Sequence, residues 1–119
     1  MGKIQEAILV FLGGGIGSVL RYAIAQWMQL RPLTFPAATL AANFLACLLL
    51  GFVLQAGFEM RTRLLLATGL CGGFSTFSTF TAENQSLWSS GRTDLMAFNV
   101  LANLLLCAAG LWIGGRLSA

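Results

Sequence analysis

A chain of 119 residues that is 57% hydrophobic and only 9% charged is not an ordinary water-soluble domain, in which roughly a quarter of residues carry charge. Seven basic residues outnumber four acidic ones for a net charge of +3, with no histidine. The basic residues are scattered at the ends of apolar segments, so they do not describe a nucleic-acid surface.

The solvent this composition fits is a lipid bilayer. The length allows about four spans of about 20 apolar residues with short connections, one compact four-span domain over residues 1–119. An all-α membrane protein is therefore expected.

The first span is drawn from Ile4 to Met28. Lys3 before an apolar run resembles a cleavable signal, but the run continues past Gly13 to Gly17 with no small-residue cleavage site and polar sequel. It is kept as structure. Gly13 and Gly17 have the small-xxx-small spacing that lets helices approach closely in lipid. Arg21 near the end of the span is costly to bury, so it either snorkels or draws anions toward a vestibule. Arg31-Pro32-Leu33 then breaks the helix.

The second span runs from Pro36 to Phe58 and carries Thr39 and Asn43, four apart on one face. Threonine offers one donor and asparagine two, a set that suits an anion losing its water. The competing reading is interhelical hydrogen bonding, worth about 0.6–2 kcal/mol in membranes. Glu59-Met-Arg-Thr-Arg63 is the most charged stretch and is read as a connection.

The third span, Leu64 to Trp88, contains the most informative segment, Gly69-Leu-Cys-Gly-Gly-Phe-Ser-Thr-Phe-Ser-Thr-Phe-Thr81. Hydroxyls in hydrocarbon must face protein or a water-filled path, because an unsatisfied polar group there costs several kcal/mol. The Gly72-Gly73 pair has poor helix propensity, and a break near Gly72 to Ser75 would free backbone groups. Freed carbonyls bind cations and freed amides attract anions; an ordinary kink satisfied by neighbouring Ser and Thr is the other reading, and spacing leaves both open. Beyond it, Phe77 and Phe80 share a face while Thr76, Thr79 and Glu83 share another. Buried phenylalanines are ordinarily core, yet their positive ring edges turned into a narrow dry passage would favour a small anion.

Ser89-Ser-Gly-Arg-Thr93 is a turn cluster, and Asp94 is placed to cap a fourth span from Leu95 to Gly115. Asn99 and Asn103 mark one face of it, either lining a pore or bonding between helices, and Gly110 and Gly114 repeat the packing spacing. With four spans both termini share a side, which collects Lys3, Arg61, Arg63 and Arg116 against Arg31, Arg92 and, if it reaches, Arg21. So thin a bias admits insertion both ways up and an antiparallel homodimer; a single orientation with the termini inside is the alternative.

Enzymatic chemistry finds no footing. Glu6, Glu59, Glu83 and Asp94 form no membrane-embedded pair, and no phosphate-binding Walker motif occurs. Cys47, Cys71 and Cys107 fall in different spans without CxxC spacing and read as small hydrophobes.

Gly72-Gly73-Phe74-Ser75-Thr76-Phe77-Ser78-Thr79-Phe80 resembles the GG-x-[ST]-TFSTF signature of the Fluc fluoride channels, also called the CrcB family. Gly14-Gly-Ile-Gly17 followed by Arg21-Tyr22, the Pro36 to Asn43 stretch and Glu83 three residues after Phe80 extend the resemblance over nearly the whole chain. It implies a passive fluoride-selective channel in the cell (inner or plasma) membrane, exporting cytoplasmic fluoride and conferring fluoride resistance. It also implies a dual-topology homodimer with two antiparallel pores and a structural sodium ion at the dimer centre.

Carried over by position, Phe77, Phe80 and Asn43 would face the pore, Ser78 and Thr79 would join a polar track, and Arg21 would attract anions at the vestibule. The backbone carbonyls of Gly72 and Ser75 would hold sodium, and Glu83 matches the family's acidic position. Thr39, Thr76, Asn99 and Asn103 are further candidates for lining or packing. Around Asn43 relatives tend toward G-T-L-x-V-N-x-x-G, whereas this chain has Ala38, Ala42 and Ala46 there, which changes side-chain size at helix contacts. Two rivals stand beside this reading. One is a proton-coupled exporter of the small multidrug-resistance type, whose essential carboxylate lies within the first span. The other is a non-transporting membrane scaffold, which leaves the Ser/Thr/Phe ladder without a purpose.

Overall fold

The computed structural model describes residues 2–29 and 35–119; the Arg31-Pro32-Leu33 break lies outside them. Among the described residues the chain is helical throughout: α1 (Lys3–Gln29), α2 (Ala37–Gln55), α3 (Met60–Arg63), a π-helical stretch (Leu64–Cys71), α4 (Gly72–Phe74), α5 (Phe77–Ser89) and α6 (Thr93–Leu117). Four helical segments, Lys3–Gln29, Ala37–Gln55, Met60–Ser89 and Thr93–Leu117, are long and apolar enough to cross a membrane, the four expected from hydropathy.

The boundaries differ in ways that have local causes. The second span ends at Gln55 rather than Phe58, because Gly57 adopts a φ of 72°, a left-handed turn open to glycine and strained for most other residues. The third span begins at Met60, so the basic stretch expected as a connection forms its first turn instead. Asp94 is not the cap of α6: Arg92 occupies that position, and the Asp94 carboxylate lies in the first turn, accepting from Arg92 Nε at 3.5 Å. There it complements the positive end of the helix dipole.

Two helix pairs make up the bundle. α2 packs along α6, and α1 packs along the π-helical stretch and α4. Glycine makes both approaches possible. A Cβ on Gly114 would overlap the Leu48 carbonyl, and one on Gly17 would overlap the Leu70 carbonyl. The glycine spacings in the first and last spans are thus packing devices. Along α2, Asn43 meets Asn103 while Leu48 meets Gly114 further on, so α2 and α6 run parallel, as the second and fourth spans of an alternating bundle must.

The apolar interior is small. Ala42 and Ala46 pack with Phe74, and Ile24 leans on that cluster; two of the three alanines that alter side-chain size around Asn43 are therefore core residues. Large apolar side chains such as Phe11, Val19, Leu104 and Trp112 point outward. That arrangement would be costly in water and is natural in lipid, which solvates them.

Candidate functional site

The third span supplies the backbone geometry on which the site is built. Ser75 (φ −88°, ψ 153°) and Thr76 (φ −150°, ψ 122°) are extended, separating α4 from α5. Two donors are redirected in consequence. Thr76 N–H, which in a continuous helix would bond to the Gly72 carbonyl, donates to Asn43 Oδ1 at 2.9 Å. Thr79 N–H, which would bond to Ser75, donates to Thr76 Oγ1 at 3.2 Å, so Thr76 caps α5. The carbonyls of Gly72 and Ser75 are thereby relieved of their helical donors. Ser75 spends its own N–H and hydroxyl on the Cys71 carbonyl, at 3.0 and 2.9 Å.

Asn43 links this segment to α6. Its amide nitrogen donates to Asn103 Oδ1 at 3.1 Å and lies a long 3.5 Å from the Thr76 carbonyl. Asn103 in turn donates to the side-chain and backbone oxygens of Asn99, both at 2.9 Å. Asn99 donates to Asn84 Oδ1 at 2.8 Å. The result is a continuous ladder of amides from α5 through α6 to α2, with Asn43, Asn99 and Asn103 all buried. Satisfied networks of this kind fix side-chain positions firmly in a low-dielectric interior.

One end of the ladder opens into a cavity of about 290 Å³ lined by Asn43, Asn103, Ser75, Thr76, Phe77 and Phe80, with Cys47, Leu104 and Cys107 completing it. The rings of Phe77 and Phe80 are 5.5 Å apart and tilted by 47° to each other, with Phe77 exposed. Asn103 is the lining asparagine of the fourth span; Asn99, 1% exposed, stands behind and orients it. Phe74 is buried in the core cluster and takes no part.

A second cavity, about 480 Å³, gathers Arg21, Thr39, Thr79 and Glu83 with Tyr22, Phe35 and their neighbours. Arg21 Nε donates to the Gly73 carbonyl at 3.2 Å, which anchors the guanidinium inward on the third span. The Thr39 hydroxyl donates to Glu83 Oε1, while Glu83 Oε2 is buried without a hydrogen-bond partner. The Ser78 hydroxyl is exposed and lies 3.2 Å from that of Thr76. Asn43, Thr76, Phe77, Phe80 and Asn103 therefore share the first cavity and Arg21, Thr39, Thr79 and Glu83 the second, while Ser78 and Asn99 line neither. Asn84 was missed, although it lies four residues after Phe80 and thus on the aromatic face of α5.

Gly72 and Ser75 are the residues of this chain whose backbone oxygens could serve a cation. Gly72 and Ser75 line a cleft of about 250 Å³ with Ala46, Thr68 and Cys71, and a side chain at Gly72 would meet nothing within 4 Å. Two released carbonyls beside open space are hard oxygen ligands suited to an alkali cation, with further ligands required from outside this chain.

Comparison with known proteins agrees with this architecture. Residues 8–115 match the family described as CrcB-like protein, Camphor Resistance (CrcB). A protein of Elusimicrobium minutum named fluoride-specific ion channel FluC is 39% identical over 117 residues, covering 96% of this chain and 94% of the relative. Relatives of the same name from Agrobacterium fabrum, 42% identical with 89% and 90% covered, and Pyrococcus abyssi, 38% identical with 94% of each covered, are similarly close. With that match running from the first span to the last, this multi-pass membrane protein belongs to the CrcB family.

Proposed function

We propose that the chain is a passive, fluoride-selective channel, and not an enzyme, that releases cytoplasmic fluoride. Hydrogen fluoride crosses membranes as a neutral acid and dissociates inside, so the inside-negative potential drives the anion out without another energy source. The observation that carries the reading is the cavity in which Asn43 and Asn103 stand beside the Phe77–Phe80 pair, in a chain whose relatives are named for fluoride.

The chemistry follows from the donors. Asn43 has one N–H engaged by Asn103 and a second only loosely held, 3.5 Å from the Thr76 carbonyl; that second donor is the one an entering anion can recruit. The Thr76, Ser78 and Thr79 hydroxyls extend the polar track along α5. Phenylalanine edges add a weak positive field without a fixed charge, so a small anion is desolvated but not trapped. Arg21 raises the local anion concentration at the wider cavity.

The full channel is an antiparallel homodimer with two pores, in the cell membrane. The Gly72 and Ser75 carbonyls would hold a sodium ion, which would supply positive charge to tie the two copies together. The open space at Gly72 and the incomplete ligand set in one chain support this assembly. An exporter of the multidrug type fits less well, since the carboxylate of α1 is Glu6, at the helix end and paired with Lys3 at 3.3 Å.

Efflux from liposomes loaded with potassium fluoride, read with a fluoride electrode after addition of a potassium ionophore, tests the proposal. Rapid fluoride release with negligible chloride release is expected. Release of both anions alike, or release that requires a proton gradient, would overturn it.

A further inference from the structure

The three cysteines read as small hydrophobes on sequence, but the parallel register of α2 and α6 brings two of them to one cavity. Asn43 and Asn103 meet at 3.1 Å. Cys47 and Cys107 each lie four residues, one helical turn, further along the same faces. They line the same cavity as the asparagines and phenylalanines. Both are half-buried, whereas Cys71 is buried and lines, with Cys47, the separate cleft beside Gly72.

From this placement we infer that Cys47 and Cys107 form a two-thiolate site for a thiophilic d10 metal ion, Hg(II) above all, in the wall of the cavity beside Phe77 and Phe80. Two sulfurs on different helices lining one cavity suit an ion that takes two soft ligands. Mercury has a further advantage in this setting. The reaction HgCl2 + 2 RSH → Hg(SR)2 + 2 H+ + 2 Cl− forms two mercury–sulfur bonds and breaks two mercury–chloride and two S–H bonds, with the protons and chloride passing to water. Reactant and bound product are both neutral, so neither approach through lipid nor residence in a low-dielectric wall carries a charging cost. A metal held there narrows the cavity, and its effect on fluoride flux rests on the channel reading; its binding does not.

Binding and flux are therefore measured separately. Purified protein treated with equimolar HgCl2, passed over a desalting column containing a monothiol and analysed for metal should retain one mercury per chain. Alkylation in denaturant, which opens the buried Cys71, followed by peptide mapping should then find Cys71 labelled, with Cys47 and Cys107 protected by the metal they share. Cys47→Ser and Cys107→Ser should each hold mercury roughly 100-fold more weakly, because the second bond is no longer an intramolecular one; Cys71→Ser should retain it. Protection of Cys71 in the wild-type map, or stoichiometric retention by Cys107→Ser, would overturn the assignment even if one variant folds poorly. In liposomes, HgCl2 should stop wild-type fluoride flux and a dithiol should restore it. Bound mercury with undiminished flux would keep the metal site and count against the cavity as the pore.

Discussion

Asn43 and Thr76 exchange a backbone amide for a side chain: Thr76 N–H, turned away from its own helix, is received by Asn43 Oδ1 at 2.9 Å. One bond thus does two jobs. It satisfies a donor that an interrupted helix would otherwise leave unpaired in the membrane, and it holds the Asn43 amide so that its nitrogen faces Asn103 and the cavity.

Substitutions at Asn43 should separate those jobs. Asn43→Ala removes the acceptor and strands the Thr76 amide, costing about 1–3 kcal/mol; both thermal stability in detergent and fluoride flux should fall. Asn43→Asp, held neutral by burial, keeps an acceptor for Thr76 and an O–H donor for Asn103 but lacks the further N–H that an anion recruits, so it should lose flux while remaining closer to wild-type stability. Thermal unfolding alongside liposome efflux checks the pair, and equal loss of stability in both would assign Asn43 to structure alone.

Much of this arrangement was legible in the sequence because lipid imposes simple rules. The four spans follow from hydropathy, and the close approaches at Gly17 and Gly114 from their spacing. Other features depend on tertiary partners that no local pattern records. The π-helical stretch Leu64–Cys71 has the composition of an ordinary apolar helix. That Asn103 lines the cavity while Asn99 supports it depends on which face of α6 meets α2. Asn84 joins the ladder only because α5 packs beside α6, and the placing of Cys47 and Cys107 in one cavity required the register of two helices some 60 residues apart in the chain.

Neighbouring glycines in the third span should behave differently when enlarged. A Cβ at Gly73 would overlap the Gly14 carbonyl, whereas one at Gly72 meets nothing within its own chain. Gly73→Ala should therefore destabilise the protomer itself. Gly72→Val should leave the protomer folded and weaken the dimer and its sodium dependence, while Ser75→Ala, which keeps the carbonyl, should be mild. Cross-linking and size-exclusion profiles with sodium or a large organic cation provide the check; an unchanged dimer in Gly72→Val would remove this glycine from the dimer centre.

The aromatic residues of the motif should also divide. Phe80 lines the donor-bearing cavity, so Phe80→Ile should reduce fluoride efflux sharply, by an order of magnitude or more, with insertion and dimer formation intact; Phe77→Ile should act in the same direction. Phe74 packs on Ala42 and Ala46, and Phe74→Leu should cost roughly 1 kcal/mol of stability as a volume-reducing core swap with flux largely kept. Near wild-type efflux in both Phe77→Ile and Phe80→Ile would refute the aromatic contribution to permeation.

Orientation in the membrane is open to direct measurement. By sequence position Lys3, Arg61, Arg63 and Arg116 fall on one side of the spans against Arg31 and Arg92 on the other, and in the structure Arg21 is drawn inward by the Gly73 carbonyl. Because orientation follows the balance of basic residues near span ends, a difference this small should allow both insertions. A reporter fused to the C-terminus should then give signal on both faces of the membrane, and signal on one face alone would exclude the antiparallel dimer. Two or three lysines added beside Arg116 should drive that end to the cytoplasm and abolish flux when the variant is expressed alone. Co-expression with a copy biased the opposite way should restore it, since the missing partner is supplied in the orientation the dimer requires.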